Sequence, residues 1–212
     1  MAELKAKIGG LYAIVGGWMA REVGPDRLRA AIRGGARVVQ LRAKDGSTRD
    51  LLEMARTVRS ITWETGTTFI VNDRLDVALA SGADGVHLGP EDLPVHEARR
   101  IAGPGLIIGA SAGDPETARR LEGEGAGYLG SGPVYPTDTK PDTRAVIGPD
   151  GLARVAEAVR IPVVGIGGID PERTPQVMAA GAKGVAVISA LFHAPDPEAR
   201  AREFVARLSA PS

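Results

Sequence analysis

The stretch GADGVHLG, from Gly82 to Gly89, joins the end of a helix-like run to the start of a strand-like one. Its opening recurs three times, as GARVVQ from Gly35, GAGYLG from Gly125 and GAKGVAV from Gly181. Glycine accepts the left-handed conformation that ends a helix, and the small alanine after it lets the chain pack closely as it turns back. The repeat is structural by itself. Its copies precede the second, fourth, sixth and eighth of eight short apolar runs: LYAIV, RVVQLR, TTFIVN, GVHLG, LIIGAS, YLGSG, PVVGIG and GVAVIS. These runs are rich in β-branched residues and bounded by glycine or polar residues, which reads as strands. Between them lie segments of helical periodicity. Several open on Ser or Asp, as in STRDLLEMARTVRSITWETG, DPETARRLEGEG and DPEARAREFVARLSA, with capping chemistry at the first turn.

Strands that are apolar on both faces and alternate with helices form a parallel sheet covered on both sides. Eight such units predict an α/β protein, a (β/α)8 TIM barrel, with residues 1–212 as a single domain. A doubly wound open sheet is the alternative, but no GxGxxG turn follows the first strand. Basic and acidic residues balance at 26 each, so no excess charge draws the chain to nucleic acid or an anionic membrane. There is no cysteine, which excludes disulfides, thiolate metal sites and a cysteine nucleophile. No apolar run is long enough to span a membrane, and MAELKAKIGGLYAIVGG lacks the features of a signal peptide. The reading is of a soluble cytoplasmic protein.

In such a barrel, function sits at the carboxyl ends of the strands, and the polar residues of this chain gather there. Gln40 and Arg42 alternate with apolar neighbours on the second strand, so both face the barrel mouth, with Lys44 two residues on. Asn72 and Asp73 end the third strand. Glu91 and Asp92 follow the fourth, Ser111 ends the fifth, and Thr137, Thr139 and Lys140 follow the sixth. GIGGI, containing Gly168, ends the seventh, and Ile188 and Ser189 end the eighth. Only five of the 26 basic residues are lysine, and Lys44 and Lys140 are the two at strand-end loops. A compact ammonium there suits a phosphate oxygen. Asp73 and Asp92 end adjacent strands, and two carboxylates beside cations fit a Mg2+–diphosphate site. Each also reads as a helix cap or Asx turn, and Glu91 could replace Asp92. His87 reads as a hydrogen-bonded residue lining the barrel. The two adjacent glycines of GIGGI suit either a plain turn or close backbone approach to a phosphate. No Ser-His-Asp set is evident, and Trp18, Tyr128 and Tyr135 are too scattered to form a stacking platform.

The motifs QLRAK, VNDRLDVALASGADGVHLGPEDLP, IGASA, GPVYPTDTK, PVVGIGGI and GVAVISAL resemble, in order and over nearly the whole chain, those of the thiamine-phosphate synthase family. The resemblance implies a transferase that joins hydroxymethylpyrimidine diphosphate to hydroxyethylthiazole phosphate. Gln40, Arg42, Lys44, Asn72 and Lys140 would hold the diphosphate, and Asp73 and Asp92 would bind Mg2+ bridging it. Ser111 would sit near the pyrimidine, with Lys140 and Ser111 the catalytic pair. Thr137 and Thr139 would contact the thiazole phosphate or order their loop, and Gly168, Ile188 and Ser189 would complete that pocket. Small-molecule partners and a homo-oligomer follow from the same likeness. The chain departs from the family at Pro90, where glutamine is common, and at the Gly16-Gly17-Trp18 tip, where polar residues are common. A related tautomerase branch is similar in fold but uses a histidine where this chain has Gly132-Pro133. Phosphosugar barrels share GIGGI but leave the paired acids unexplained. A non-catalytic binder of thiamine precursors leaves the full polar set without a purpose.

One connection is far longer than the usual roughly 2–6 residues. SGPVYPTDTKPDTRAVIGPDG, Ser131 to Gly151, separates the sixth strand from its helix. It reads as a lid that brings Lys140 onto the diphosphate and shields a reactive cation from water. Lys140→Ala is therefore expected to cut turnover at least about 100-fold with little change in unfolding midpoint; near-normal turnover in a folded variant would remove the lysine from the chemistry.

Overall fold

The computed structural model describes residues 8–16, 24–43, 46–137 and 145–208. Lys44, Thr139, Lys140 and the Gly17-Trp18 tip lie outside the described residues. Eight parallel strands close into a barrel in sequence order: β1 (Gly10–Gly16), β2 (Ala36–Arg42), β3 (Thr68–Asn72), β4 (Gly85–Leu88), β5 (Ile107–Ser111), β6 (Tyr128–Ser131), β7 (Val163–Ile166) and β8 (Gly184–Val187). β1 pairs with both β2 and β8, which completes the ring. The helices among the described residues are α1 (Gly24–Arg33), α2 (Thr48–Thr65), α3 (Leu75–Ser81), α4 (Val95–Ala102), α5 (Pro115–Gly123), α6 (Gly148–Glu157), α7 (Thr174–Ala179), α8 (Ser189–Phe192) and α9 (Pro197–Leu208).

The eight strands fall on the eight apolar runs, and the four repeat glycines, Gly35, Gly82, Gly125 and Gly181, all have positive φ. At Gly82 a Cβ would meet nothing within 4 Å, so conformation alone demands glycine there. Two boundaries differ from the sequence expectation. The last unit carries a one-turn helix, α8, before its long helix, because Ser189–Phe192 turns at once after β8. The long connection overlaps its helix, since α6 begins at Gly148, one residue before the helical run PDGLARVAEAVR that starts at Pro149.

Helix starts follow side-chain chemistry. Ser47 and Asp50 form a reciprocal capping box on α2, and the Asp114 carboxylate accepts hydrogen bonds from the Thr117 backbone N–H and hydroxyl, at 2.9 and 2.8 Å. Asp84 of the repeat accepts from the Phe69 backbone N–H at 2.8 Å and pairs with Arg59 at 3.0 Å, which pins the entry of β3 against α2. Where the barrel ends meet, Arg27 on α1 donates to the carbonyls of Phe192, Ala194 and Pro195. A Cβ on Gly34 would lie 2.4 Å from the Glu198 carbonyl oxygen, so the turn before β2 rests directly on α9.

Alternation along the strands produces two cores. Outward-facing Leu11, Val39, Leu41, Phe69, Val86, Ile108 and Leu129 pack beneath the helices. Inward-facing Ile8, Tyr12, Val38, Ile70, Ile107, Tyr128, Val164 and Ala186 fill the barrel. The barrel is too narrow for large groups on every strand, so glycines face the large side chains. A Cβ on Gly109 would lie 2.1 Å from Cζ of Tyr128, and one on Gly130 would lie 3.0 Å from Cε1 of His87. Gly109→Ala is expected to lower unfolding stability by at least about 2 kcal/mol in urea denaturation. Gly113→Ala, where a Cβ would meet nothing within 4 Å, is expected to stay within about 0.5 kcal/mol of the parent. Equal effects would show that the interior tolerates the extra methyl.

Candidate active site

Directly above the inner core, a cavity of about 880 Å³ opens at the carboxyl ends of the strands. Every site residue expected from the sequence that lies among the described residues lines it: Gln40 and Arg42 from β2, Asn72 and Asp73 from the end of β3, Asp92 after β4, Ser111 from β5, Thr137 after β6, Gly168 after β7, and Ile188 and Ser189 after β8. Glu91, Pro90 and His87 line it as well. The strand period explains the convergence, because the side chains on β2 alternate Val38, Gln40, Arg42 inward and Val39, Leu41 outward.

Gln40 sits lowest, only 4% exposed, with Nε2 donating to the Tyr12 hydroxyl at 2.7 Å. Arg42, one inward position higher, is partly exposed at the rim. Asp73 has φ of 65°, the one positive φ outside glycine among the described residues. Its N–H donates to the His87 carbonyl at 2.8 Å, and the Arg74 N–H folds back to the Asn72 carbonyl at 2.8 Å. This three-residue γ-turn of the rarer hand costs about 1–3 kcal/mol at a non-glycine residue. The strained turn lies at the cavity rim, where Asp73 lines the opening. Across the next strand, Asp92 Oδ2 accepts from the Gly89 N–H at 2.6 Å, which sets its carboxylate above β4.

The other side of the mouth is built from backbone. Gly167 and Gly168 have φ of 97° and 63°, and a Cβ on either would strike Pro133 or Pro136 and Tyr135 within 2.5–2.8 Å. The loop after β6 is thereby laid on the loop after β7, with Val134 N–H donating to the Ile166 carbonyl and Tyr135 N–H to the Gly167 carbonyl. Arg173 reinforces the junction by stacking on the Tyr135 ring, 4.8 Å from its centroid, while donating to the Gly168 carbonyl at 2.6 Å. The base of the long connection is thus fixed at both ends, since Ile147 N–H also donates to the Pro133 carbonyl.

No group of three or more His, Asp or Glu poised for a metal is found among the described residues. Asp73 and Asp92 nonetheless share one cavity wall, and a hard divalent cation that keeps waters and substrate oxygens needs only one or two carboxylates. The oxygen donors present fit Mg2+.

Of the cavity floor, sequence reasoning found His87, as a hydrogen-bonded residue lining the barrel, and Ser111, and missed Tyr12 and Tyr128. The hydroxyls of Tyr12 and Tyr128 are 2.8 Å apart, His87 Nδ1 is 3.0 Å from the Tyr128 hydroxyl, and His87 Nε2 is 3.0 Å from Ser111 Oγ. The available signal was parity: Tyr12 and Tyr128 occupy inward strand positions, where a polar-tipped ring needs a partner.

Comparison with known proteins points the same way. A family model described as thiamine monophosphate synthase matches residues 11–191. The thiamine-phosphate synthase of Moorella thermoacetica is 51% identical over 177 residues, 84% of each chain. That of Pyrococcus abyssi is 50% identical over 186 residues, 88% of each. The solved structure of thiamine phosphate pyrophosphorylase from Pyrococcus furiosus superposes with a TM-score of 0.87 at 44% identity, covering 97% of both chains. A 3-hexulose-6-phosphate synthase, 18% identical with a TM-score of 0.65 over 95% of this chain, shares the fold alone.

The floor has its own titration behaviour. Burial pushes the Tyr12 phenol well above its ordinary value, against the opposing hydrogen bonds from Tyr128 and Gln40. Burial, then the neighbouring Tyr12, does the same to Tyr128. A raised folded pKa means that the unfolded chain releases protons first. The stability these phenols contribute is therefore complete below pH 10 and lost as pH rises beyond it, at up to about 1.4 kcal/mol per pH unit for each. Absorbance titration is expected to show the two phenolates forming only together with unfolding. Ionisation of all three tyrosines near pH 10 in folded protein would contradict a closed, dry floor.

Proposed function

The chain belongs to the thiamine monophosphate synthase family, and on that premise we propose that it catalyses the transfer its relatives are named for. Hydroxymethylpyrimidine diphosphate and hydroxyethylthiazole phosphate combine to give thiamine phosphate and diphosphate. The observation that carries this reading is the division of one cavity into two unlike halves. Arg42, Asn72 and the acids Asp73 and Asp92 stand over β2 to β4, while the glycine backbone of 167–168 and Ser189 stand over β7 and β8. The first half suits a diphosphate with its metal, and the second suits a phosphate monoester. A volume near 880 Å³ accommodates two small substrates side by side.

The chemistry asks little covalent work of the protein. The methylene C–O bond breaks and its electron pair leaves with the diphosphate. The cation left on the pyrimidine methylene is delocalised toward the ring amino group, and the thiazole nitrogen lone pair forms the new C–N bond. Mg2+, held by Asp73 and Asp92, would neutralise charge on the departing diphosphate. Arg42 and Asn72, joined by Lys44 and Lys140 from outside the described residues, donate to the same oxygens. Ser111 and the floor orient the pyrimidine, and the half over β7 and β8 holds the thiazole nitrogen within reach of the methylene. Thr137 and Thr139 belong to the loop over that half. No nucleophilic side chain enters the scheme.

The proposal carries further expectations: residues 1–212 form one domain, the protein works in the cytoplasm, its partners are these small molecules, and its copies associate as a homo-oligomer. Among the described residues, no helix is long and apolar enough to cross a membrane.

The decisive assay mixes the two substrates with Mg2+ or with chelator and follows thiamine phosphate and diphosphate. Metal-dependent product is expected, and folded protein that makes none would overturn the assignment. Asp73→Gly removes both the carboxylate and the Cβ that makes the turn costly. It is expected to lose at least about 100-fold in kcat/KM without a fall in melting temperature. Retained activity would free Asp73 from metal binding.

A further inference from the structure

The cavity floor is one unbroken hydrogen-bond chain, Gln40–Tyr12–Tyr128–His87–Ser111, with links of 2.7, 2.8, 3.0 and 3.0 Å. Each phenol has one proton to give, and so has a neutral imidazole. Such a chain runs in one of two directions, and fixing the proton at any link fixes it at all of them. The Gln40 end sets the direction, because an amide nitrogen only donates. Tyr12 accepts from Gln40 and gives its proton to Tyr128, which passes its own to His87 Nδ1. The imidazole proton is then on Nε2, where it meets Ser111 Oγ. Because Nε2 already carries the proton, Ser111 cannot donate to the imidazole, and its O–H turns into the cavity that it lines. Burial of both phenols, 2% and 1% exposed, keeps them protonated and the chain intact. The glycines at 109 and 130 leave room for the two rings to lie in line.

We propose that Tyr12, Tyr128 and His87 are positioning residues: they hold His87 as the Nε2–H tautomer and present Ser111 to the cavity as a hydrogen-bond donor, which selects a substrate edge carrying an acceptor. On the synthase reading, that edge is a ring nitrogen of the aminopyrimidine and not its exocyclic amine. A donor at that position disfavours poses that turn the N–H groups of the amine toward Ser111. The tautomer follows from the floor alone, whereas the choice of ring edge rests on the proposed reaction, and the two are measured separately.

The full-length protein is labelled with 15N-histidine and its ring nitrogens are observed at pH 8 by long-range proton–nitrogen correlation. His96→Gln and His193→Gln, both outside the cavity, assign the remaining set to His87. A bare Nδ1 and a protonated Nε2 are expected. The opposite pattern means that Gln40 accepts through Oε1 and Ser111 faces the cavity as an acceptor, and it overturns the proposal; a doubly protonated ring does the same. In Tyr128→Phe, the His87 nitrogens should shift toward mixed protonation. KM for the pyrimidine diphosphate should rise about 10-fold while KM for the thiazole phosphate stays within about 2-fold, a loss of roughly 1.4 kcal/mol confined to one substrate. If Tyr128→Phe does not fold, Tyr12→Phe carries the kinetic arm, with the same one-sided rise expected. Equal changes in both KM values in a folded variant would reduce the chain to a structural role and overturn the proposal. The predicted tautomer in a protein that makes no thiamine phosphate would sink the synthase reading and leave the donor assignment of Ser111 standing.

Discussion

The interior of this barrel is organised by what is missing from two strand positions. Because Gly109 and Gly130 have no Cβ, Tyr128 and His87 lie across the barrel where side chains from neighbouring strands would otherwise stand. Their rings are 5.5 Å apart and tilted by 40°, and Tyr12 completes the group at 6.1 Å from Tyr128. Aliphatic residues fill the space below, among them Ile8, Val38, Ile70 and Ile107. The aromatic layer therefore separates a dry lower barrel from a polar upper one. Gln40 and Ser111 rest on that boundary through their bonds to Tyr12 and His87.

Much of this was legible from the chain itself. Strand and helix alternation, the Gly-Ala repeat and the parity of Gln40 and Arg42 depend on local spacing, which a linear reading captures. The convergence of Asn72, Asp73, Asp92 and Ser111 follows once the barrel is assumed, because closure brings successive strand ends around one opening. The aromatic floor was not legible in the same way. That Tyr128 lies against Gly109 depends on the stagger between β5 and β6, which no spacing within either strand encodes. The γ-turn at Asp73 was equally hidden, since aspartate there also suits an Asx turn or a cap. The one-turn helix α8 is too short to show helical periodicity.

The two sides of the cavity mouth differ in what they are made of. On the β3–β4 side, polar side chains face the cavity and the backbone bends sharply at Asp73. On the β7 side, the backbone itself is exposed, and side chains such as Arg173 and Tyr135 act from behind to hold it in place. Substitution should be felt differently on the two sides: through loss of a functional group on the first, and through added bulk on the second.

The contacts of Arg27 with the carbonyls around residues 192–195 join α1 to the last turn before α9. A ribosome releases these partners more than 160 residues apart. Throughout most of synthesis, β1 therefore has a bare edge, its N–H and C=O groups on that side waiting for β8. An unpaired apolar strand is the surface through which nascent chains associate wrongly. Sealing is a non-local event whose entropy cost falls late, after the intervening strands have assembled. The guanidinium clamp, like the β1–β8 seam, thus joins segments that emerge at opposite ends of synthesis and forms only once the last turns of the chain are present.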